Sequence, residues 1–237
     1  GRWAFHYLGT YQTEEEAAKA PNDPNAQGRK KHAGDAIFED VNNDGQLDSK
    51  DMKFMGYIRP DKVGGIVNSF KYKGLTVRVV MDWAMGHVID NGFKGQIMGS
   101  SRNNNNAIKD AMTNSWQSAN DGTKYPKYTV QSDYDYQYRN HMRWDNQIGS
   151  SESGSTNNSL YFSKGDYLAF REVSLSYMLP STWVRKIRLS GVEVFAGAYN
   201  IGYIKKYDGM FPEIYTGVDY GVYPRPRQYN MGVKINF

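Results

Sequence analysis

Tyr229-Asn-Met-Gly-Val-Lys-Ile-Asn-Phe237 alternates strictly between apolar residues and small or polar ones. Successive side chains of a β-strand point to opposite faces, so this segment has one apolar face and one polar face. The apolar face carries Tyr229, Met231, Val233, Ile235 and Phe237. In a soluble β-sandwich this face would pack against a second sheet, and in a transmembrane barrel it would face lipid. The strand alone fits both alternatives.

A second pair of amphipathic strands lies at about 62–86, on either side of a tight turn at Lys73-Gly74. After the turn, the residues on one predicted face are Leu75, Val77, Val79, Met81 and Trp83, and those on the other are Thr76, Arg78 and Asp82. The strand has about the ~10 residues that cross a bilayer when tilted, whereas no apolar run approaches the ~20 of a membrane helix. If this chain crosses a bilayer, it therefore does so as strands.

The connections between predicted strands alternate between long and short. The long ones are 12–61, 87–160 and 205–226, and the short ones are Lys73-Gly74 and 180–190. Outer-membrane barrels have short periplasmic turns and long extracellular loops, and this parity favours a barrel. The segment 87–160 is rich in Asn, Ser, Gly and Tyr, so we expect a long extracellular loop without a core.

The predicted fold class is all-β, an antiparallel transmembrane β-barrel segment spanning 1–237 and ending at a C-terminal aromatic residue. Five or six strands cannot close an outer-membrane barrel, because an open edge in lipid leaves backbone groups unpaired. We therefore expect the last five or six strands of a larger barrel. The opening Gly1-Arg-Trp-Ala carries no secretion signal, which suggests a C-terminal part whose targeting segment lies upstream.

Composition excludes several functional classes. The chain has 19 Tyr, 10 Phe, 5 Trp and 24 Gly, which suits many turns and amphipathic rings at membrane interfaces. Its formal charge of +4 is spread along the sequence, and the one dense basic cluster, Arg29-Lys30-Lys31, does not predict nucleic-acid binding. The four His residues show no metal-ligand spacing and no accompanying nucleophile, so we do not expect an enzyme.

Asp40-Val-Asn-Asn-Asp-Gly-Gln-Leu-Asp-Ser-Lys-Asp51 has the spacing of an EF-hand loop, inside the predicted extracellular loop 12–61. Calcium prefers six to eight hard oxygen ligands, and the candidates are Asp40, Asn42, Asp44, Gln46 through its carbonyl, Asp48 and Asp51. The sequence thus predicts a structural Ca²⁺ site over 40–51. The alternative is an Asx-rich loop whose side chains cap its own backbone without metal.

Aromatic residues of 87–160 are candidates for contacts with a ligand or partner, because flat amphipathic rings stack on sugars and peptide side chains. These candidates are Trp116, Tyr125, Tyr128, Tyr134, Tyr136, Tyr138 and Trp144. The alternative is that the rings pack the loops against one another.

Several motifs occur together in an order that resembles the C-terminal part of the SusC/RagA family. They are Tyr11-Gln-Thr-Glu-Glu-Glu16, Gly34-Asp-Ala-Ile-Phe-Glu-Asp40 with Asn42-Asn-Asp-Gly45, Tyr72-Lys-Gly-Leu75, Tyr167-Leu-Ala-Phe-Arg171, Tyr177-Met-Leu-Pro180 and Gly217-Val-Asp-Tyr-Gly-Val-Tyr-Pro-Arg-Pro-Arg227. The end of the chain is similar to the assembly signal of outer-membrane barrels. Trp83-Ala-Met-Gly-His87 and Ala169-Phe-Arg-Glu172 depart from the family pattern.

The resemblance implies a TonB-dependent outer-membrane transporter with a 22-stranded barrel. It further implies import of oligosaccharide or peptide cargo, a SusD-like surface lipoprotein as partner, and coupling to TonB through an N-terminal region outside this chain. The alternative function left open by the residues is a soluble, calcium-braced glycan-binding β-sandwich.

Overall fold

A computed structural model of the chain describes residues 1–98, 109–129, 134–140 and 158–237. The strands within these ranges are β1 (Arg2–Phe5), β2 (Tyr7–Thr10), β3 (Ala36–Phe38), β4 (Met52–Gly56), β5 (Lys62–Tyr72), β6 (Leu75–Met85), β7 (Val88–Asp90), β8 (Phe162–Lys164), β9 (Tyr167–Met178), β10 (Gly191–Lys205) and β11 (Gln228–Asn236). The α-helices are α1 (Glu14–Ala17), α2 (Gly92–Met98), α3 (Lys109–Asn114), α4 (Tyr134–Arg139) and α5 (Ser181–Val184). Short 3₁₀ turns occupy Pro24–Ala26, Ser49–Asp51, Ser159–Tyr161 and Arg185–Ile187.

The long strands form one five-stranded antiparallel sheet in the order β5-β6-β9-β10-β11. Each strand pairs with the next long strand in the sequence, as in an up-and-down barrel wall. The predicted all-β class with five or six antiparallel barrel strands is confirmed. The same sheet belongs to one of two compact units, which we call the sheet unit (Pro60–His87, Lys164–Glu213 and Tyr223–Phe237).

The pairing register of this sheet collects the apolar residues on one face. Across β6 and β9, Leu75 faces Tyr177, Val77 faces Leu175 and Val79 faces Val173. On the β5 side, Phe70 faces Val77. On the other side of β9, the β10 residues Ala196 and Val194 face Leu175 and Tyr177, and their partners on β11 are Met231 and Val233. Met231 is 88% exposed and Phe237 93% exposed, so the apolar rows are not enclosed by other described residues.

The opposite face is mostly small or polar. Ser176 lies opposite Thr76 on β6, and Ser174 lies opposite Arg78. On β10 and β11, Glu193 faces Lys234. Because the side-chain period is two, a register shift of one residue would move the whole apolar set to this face.

The two ends of the sheet differ in the length of their connections. At one end, Lys73-Gly74 joins β5 to β6, and a connection containing α5 joins β9 to β10. The amide of Met178 donates to the Gly74 carbonyl at 2.8 Å, so these two connections lie side by side. The long connections leave from the other end, as the alternation of loop lengths predicts.

The second unit, called the loop unit here, comprises Gly1–Arg59, Val88–Ser163 and Ile214–Val222. Two clusters of buried side chains hold it together. One contains Met98, Ala111, Tyr125 and Tyr161. The other contains Phe5, Ala36, Phe38 and Leu47. The expectation that 87–160 lacks a core is therefore wrong for its described part, because Met98, Ala111 and Tyr125 are buried together and the segment contains a short strand and three helices.

No helix in the described ranges combines the length and the apolar character needed to span a membrane.

The Lys73-Gly74 turn generates a stability prediction. Gly74 has φ +87°, and a Cβ there would come within 2.7 Å of the Met178 carbonyl oxygen. Gly74→Ala should therefore destabilise the folded protein by about 1–2 kcal/mol or more, measured by the thermal midpoint of the intact protein in detergent micelles. Lys73→Gly is the matched control, because Lys73 already has φ +45° and glycine adopts that conformation without strain. Equal midpoints for Gly74→Ala and the unchanged protein would contradict the prediction.

Candidate functional site

The side chain of Arg171 is turned by an irregularity in the middle of the sheet. On the β6 side, Val80 faces Glu172 and Met81 faces Phe170, so Arg171 has no partner in the ladder. On the β10 side, Tyr199 faces Glu172 and Gly202 faces Phe170, which leaves two residues opposite Arg171. Bulges of this kind increase the local twist and re-aim side chains.

The bulge places Arg171 in a cluster of charged side chains within the sheet unit. Its guanidinium donates to both carboxylate oxygens of Asp82, with Nη2 at 2.7 Å from Oδ2. Nη1 lies 2.5 Å from Oε1 of Glu213 and 3.2 Å from the hydroxyl of Tyr203. That hydroxyl donates to Glu213 at 2.7 Å, and Arg225 Nη2 lies 3.4 Å from the other Glu213 oxygen.

Glu213 is the buried centre of this cluster. Its side chain is 1% exposed, and desolvating an ionised carboxylate costs several kcal/mol unless charged donors replace the water. Such donors come from Arg171 on β9, Tyr203 on β10 and Arg225 in the connection before β11. The cluster therefore ties the segment after β10 to the polar face of the sheet.

Aromatic packing reinforces this attachment. The Phe211 ring meets the Tyr203 ring edge-on with centroids 5.8 Å apart, and Tyr203 meets Tyr167 in the same way at 5.9 Å. Lys205 Nζ donates to the carbonyls of Tyr207, at 3.0 Å, and Gly209. The result is a fixed polar wall on which Arg225 keeps a half-exposed guanidinium.

The sequence prediction did not single out Arg171, Asp82 or Glu213. A signal for the first was present, because Arg171-Glu172 places two charged residues in succession within an otherwise alternating strand. Such an interruption is typical of a β-bulge. Glu213 lies in a connection without alternation, so pattern alone gave no reason to place it beside Arg171.

The structure places most of the predicted aromatic contact residues inside the loop unit or half-buried on it. Tyr125 is 3% exposed and donates its hydroxyl to Asp110 at 2.7 Å. The side-chain hydrogen bond from Tyr125 lowers the pKa of the Asp110 carboxyl. Tyr128 packs against the same buried cluster.

The remaining aromatic candidates lie in separate places. Trp116 is half-buried, and a Cβ on Gly34 would come within 2.5 Å of its ring. Tyr138 is half-buried with the Arg29 guanidinium 4.8 Å above its ring. Tyr134 and Tyr136 belong to the backbone of α4, and Trp144 lies outside the described residues. These positions support the packing alternative, and the contact roles stay predictions.

The Asp40–Asp51 loop directs its side-chain oxygens at its own backbone. Asp40 accepts from the Gly45 amide at 2.9 Å, Asn42 from Asp44 at 3.1 Å, and Asp44 from Gln46 at 2.9 Å. At the end of the loop, Asp48 accepts from Lys50 at 2.8 Å. This is the arrangement of consecutive Asx turns.

Asp51, the predicted closing ligand, is fully buried and accepts from the amides of Val41 at 2.9 Å and Asp48 at 2.8 Å. The described residues contain no group of three or more carboxylate or imidazole side chains arranged to hold a metal ion. Geometry thus fits the Asx-rich alternative more closely than a calcium cage. The Ca²⁺ site with Gln46 and the five acidic or amide side chains stays a prediction.

A buried polar cluster in the loop unit was also missed. Asp35 receives hydrogen bonds from Arg139 at 2.5 Å and from Asn140 at 2.8 Å, and Asn140 accepts from the Ala36 amide at 2.6 Å. Lys31 is 9% exposed and donates to the Arg139 carbonyl. The sequence analysis noted Lys31 only as part of the basic cluster Arg29-Lys30-Lys31, whereas in the structure it helps to fasten the end of α4 to β3.

Comparisons with known proteins agree with this fold. Over 99% of its length, the chain is 24% identical to TonB-dependent receptor P3 of Formosa agariphila and covers 22% of that protein. It is 26% identical to TonB-dependent receptor SusC of Bacteroides thetaiotaomicron over 91 residues, which are 38% of the chain and 9% of SusC. No family model matches the sequence.

Solved structures of the RagAB peptide transporter are similar to 99% of the chain. The TM-score is 0.63 at 19% identity, and the match covers 22% of the RagAB chain. For RagAB in its closed-closed state the TM-score is 0.64 at 20% identity, with 23% of that chain covered.

The comparisons confirm the resemblance to TonB-dependent receptors of the SusC/RagA type. The fold is that of a segment of an antiparallel outer-membrane barrel, which the described residues do not close. The chain spans about a fifth of the length of the curated relatives that it matches along nearly its whole length.

The Arg171 cluster predicts a large effect for one substitution. Arg171→Met leaves the Glu213 carboxylate buried with one hydroxyl and one distant guanidinium, which should destabilise the 206–213 connection by about 3–5 kcal/mol. Hydrogen exchange of that segment in the intact protein measures the loss. The control is Arg78→Met, because the Arg78 pair with Glu172 is 3.4 Å long and half-exposed and should contribute at most about 1 kcal/mol. Equal protection of 206–213 in the two variants would show that the cluster does not anchor it.

Lys31 predicts a pH dependence. Burial lowers the pKa of Lys31 from 10.5 to about 8, against the opposing influence of Asp23 and Asp35. Between those two values the unfolded chain binds more protons than the folded one, so the stability of the loop unit should rise with pH from about 8 to 10.5, by at most about 3 kcal/mol.

Hydrogen exchange of β3, corrected for the intrinsic effect of pH on exchange, tests this gain. Lys31→Met should abolish it, whereas Lys30→Met, at an exposed position, should retain it. A gain that survives in Lys31→Met would assign the pH effect to another group.

Proposed function

We propose that the chain forms part of the wall and the outer loops of an outer-membrane, TonB-dependent nutrient importer. The observation that carries this proposal is the alignment of exposed apolar rows on one face of the five-stranded sheet, with a polar face behind it. Lipid covers such a face in a transmembrane barrel, while the other face lines a wet interior.

Strand lengths support a membrane-spanning wall. The five strands contain 11, 11, 12, 15 and 9 residues in chain order. A tilted strand needs about 9–11 residues to cross the hydrocarbon layer. The greater lengths of β9 and β10 come partly from the bulge, because Arg171 on β9 and Asn200 and Ile201 on β10 have no partner in the ladder between these strands.

The soluble sandwich alternative requires a second sheet against the apolar rows. Within the described residues, the other sheets are two-stranded, and Val233 and Ile235 remain 57% and 47% exposed. The described part of the chain thus provides no second sheet for those rows, and their exposure supports the barrel interpretation.

Cargo, partners and energy source are proposed from the relatives. The solved RagAB structures are of a peptide transporter, which supports peptide cargo, and the relatives named TonB-dependent receptors support coupling to TonB. Oligosaccharides as the alternative cargo and a SusD-like surface lipoprotein as partner are proposed from the resemblance to the SusC/RagA family. In this proposal 12–61 and 87–160 lie outside the cell. The fixed polar wall around Arg171 faces the interior, where its charged groups would contact polar cargo. The named relatives are receptors and transporters, which supports a role without catalysis.

The proposal predicts opposite outcomes for arginine at two adjacent positions of β9. Leu175 is on the apolar face and 47% exposed, so Leu175→Arg should oppose insertion by about 2 kcal/mol and lower the amount of protein assembled in the outer membrane. Ser176 is on the polar face opposite Thr76, and Ser176→Arg should assemble normally. Heat-modifiable migration of the outer-membrane fraction measures assembly.

Uptake measured in the same cells completes the test. Cells producing the Ser176→Arg protein should take up the oligosaccharide or peptide nutrient, and those with little assembled Leu175→Arg protein should not. Normal assembly of Leu175→Arg, or recovery of the unchanged protein in a detergent-free soluble fraction, would refute the membrane-wall proposal. The import role has its own test. If the protein assembles in the outer membrane, but a strain lacking its gene grows normally on every oligosaccharide and peptide tested, the import role is refuted.

A further inference from the structure

The apolar face of the sheet is not uniformly filled. A groove of about 410 Å³ runs along β10, where Ala196 and Ala198 form its floor. Val173 and Leu175 of β9 form one wall, and Tyr229 and Met231 of β11 form the other. The volume is in the range of ligand-binding clefts, about 300–1,000 Å³.

A cation lies farther along the same face of the sheet, outside the residues that line the groove. Gly202 follows Ala198 on this face and lies opposite Phe170, which in turn lies opposite Met81. A Cβ on Gly202 would have Arg227 Nη2 as its nearest described neighbour, at 3.9 Å. The guanidinium of Arg227 therefore lies against the outside of β10 at Gly202, four residues beyond the Ala198 end of the groove.

The chain holds Arg227 in this position. Pro224 and Pro226 fix φ in the approach to β11, and the Asn200 side chain donates to the Pro226 carbonyl at 3.3 Å. Arg227 forms no ion pair within the described part of the chain. Two residues further on, Tyr229 is 75% exposed at the rim of the apolar rows, the place of interfacial aromatic residues in barrels.

We propose that this groove and Arg227 bind one anionic membrane lipid, with an acyl chain along Ala196 and Ala198 and the headgroup phosphate at the Arg227 guanidinium. Charge complementarity favours an anionic headgroup, and the apolar floor favours hydrocarbon. The inference rests on the proposed function, because lipid reaches this face only in a membrane-spanning wall. Arg225, two residues before Arg227, instead turns to Glu213 on the other face of the sheet.

Native mass spectrometry of the intact protein, released from mixed micelles, tests the site. Phosphatidylglycerol should be retained more than phosphatidylcholine, because choline adds a cation beside Arg227. Arg227→Gln should lower phosphatidylglycerol retention about fivefold, the effect of about one basic residue near an anionic headgroup. Arg185→Gln is the matched control, since Arg185 is exposed at the opposite end of the sheet and should leave retention unchanged.

A second variant tests the groove. Ala196→Leu fills its floor and should lower retention of both lipids, whereas Val77→Leu, on the same face two strands away, should not. Inorganic phosphate should not displace the lipid, because it cannot occupy the groove.

Three results would each overturn the lipid site. They are equal retention of the two lipids, an equal effect of Arg227→Gln and Arg185→Gln, and displacement of the lipid by inorganic phosphate alone. These results would leave the proposed function standing if the protein still assembles in the outer membrane and imports nutrient. Failure to assemble in any membrane would instead refute the proposed function itself.

Discussion

Pairing register is the constraint on which the rest of this structure depends. Antiparallel strands with a side-chain period of two keep the same face apolar only while each pair of neighbours stays in phase. From β5 to β11 the phase is kept across four interfaces, so that Phe70, Val77, Leu175, Ala196 and Met231 form one continuous row. The backbone groups between the strands are satisfied by the same pairing, which is what a hydrocarbon surrounding demands.

The bulge at Arg171 is the place where this phase is adjusted, and both faces of the sheet use it. On the polar face it presents a guanidinium to Asp82 and to the buried carboxylate of Glu213. On the apolar face, the unpaired residues of β10 precede Gly202, over which Arg227 lies. The wall thus carries a positive charge on each side near this bulge, Arg171 on the polar face and Arg227 on the apolar face.

How much of this could be predicted from the sequence depended on the length of each periodic segment. Strands β5, β6, β9 and β11 contain enough alternating residues to identify their apolar faces, and Lys73-Gly74 marks a turn by composition. Strands β1 to β4, β7 and β8 have only three to five residues, too few periods to separate a strand from a loop. Their positions follow from burial of Phe5, Phe38 and Tyr161, which is a tertiary effect.

The candidate sites show the same division. Spacing alone predicted ligands in the Asp40–Asp51 loop, yet oxygen-rich spacing also suits side chains that bond to their own backbone, and the structure has those bonds. The Glu213 cluster joins residues that are far apart in the sequence, from Asp82 on β6 to Arg225 before β11. Such a contact is created by the sheet order, and no local pattern encodes it.

Strands β5 and β11 end the sheet, and within the described residues the outer edge of each has no neighbour. Each edge presents a row of amide and carbonyl groups at the spacing that another strand needs. A polypeptide limited to these 237 residues would therefore be a template for its own copies, with apolar rows that extend from one molecule to the next. Self-stacking into fibrils is the hazard of a sheet whose two edge strands are left without neighbours.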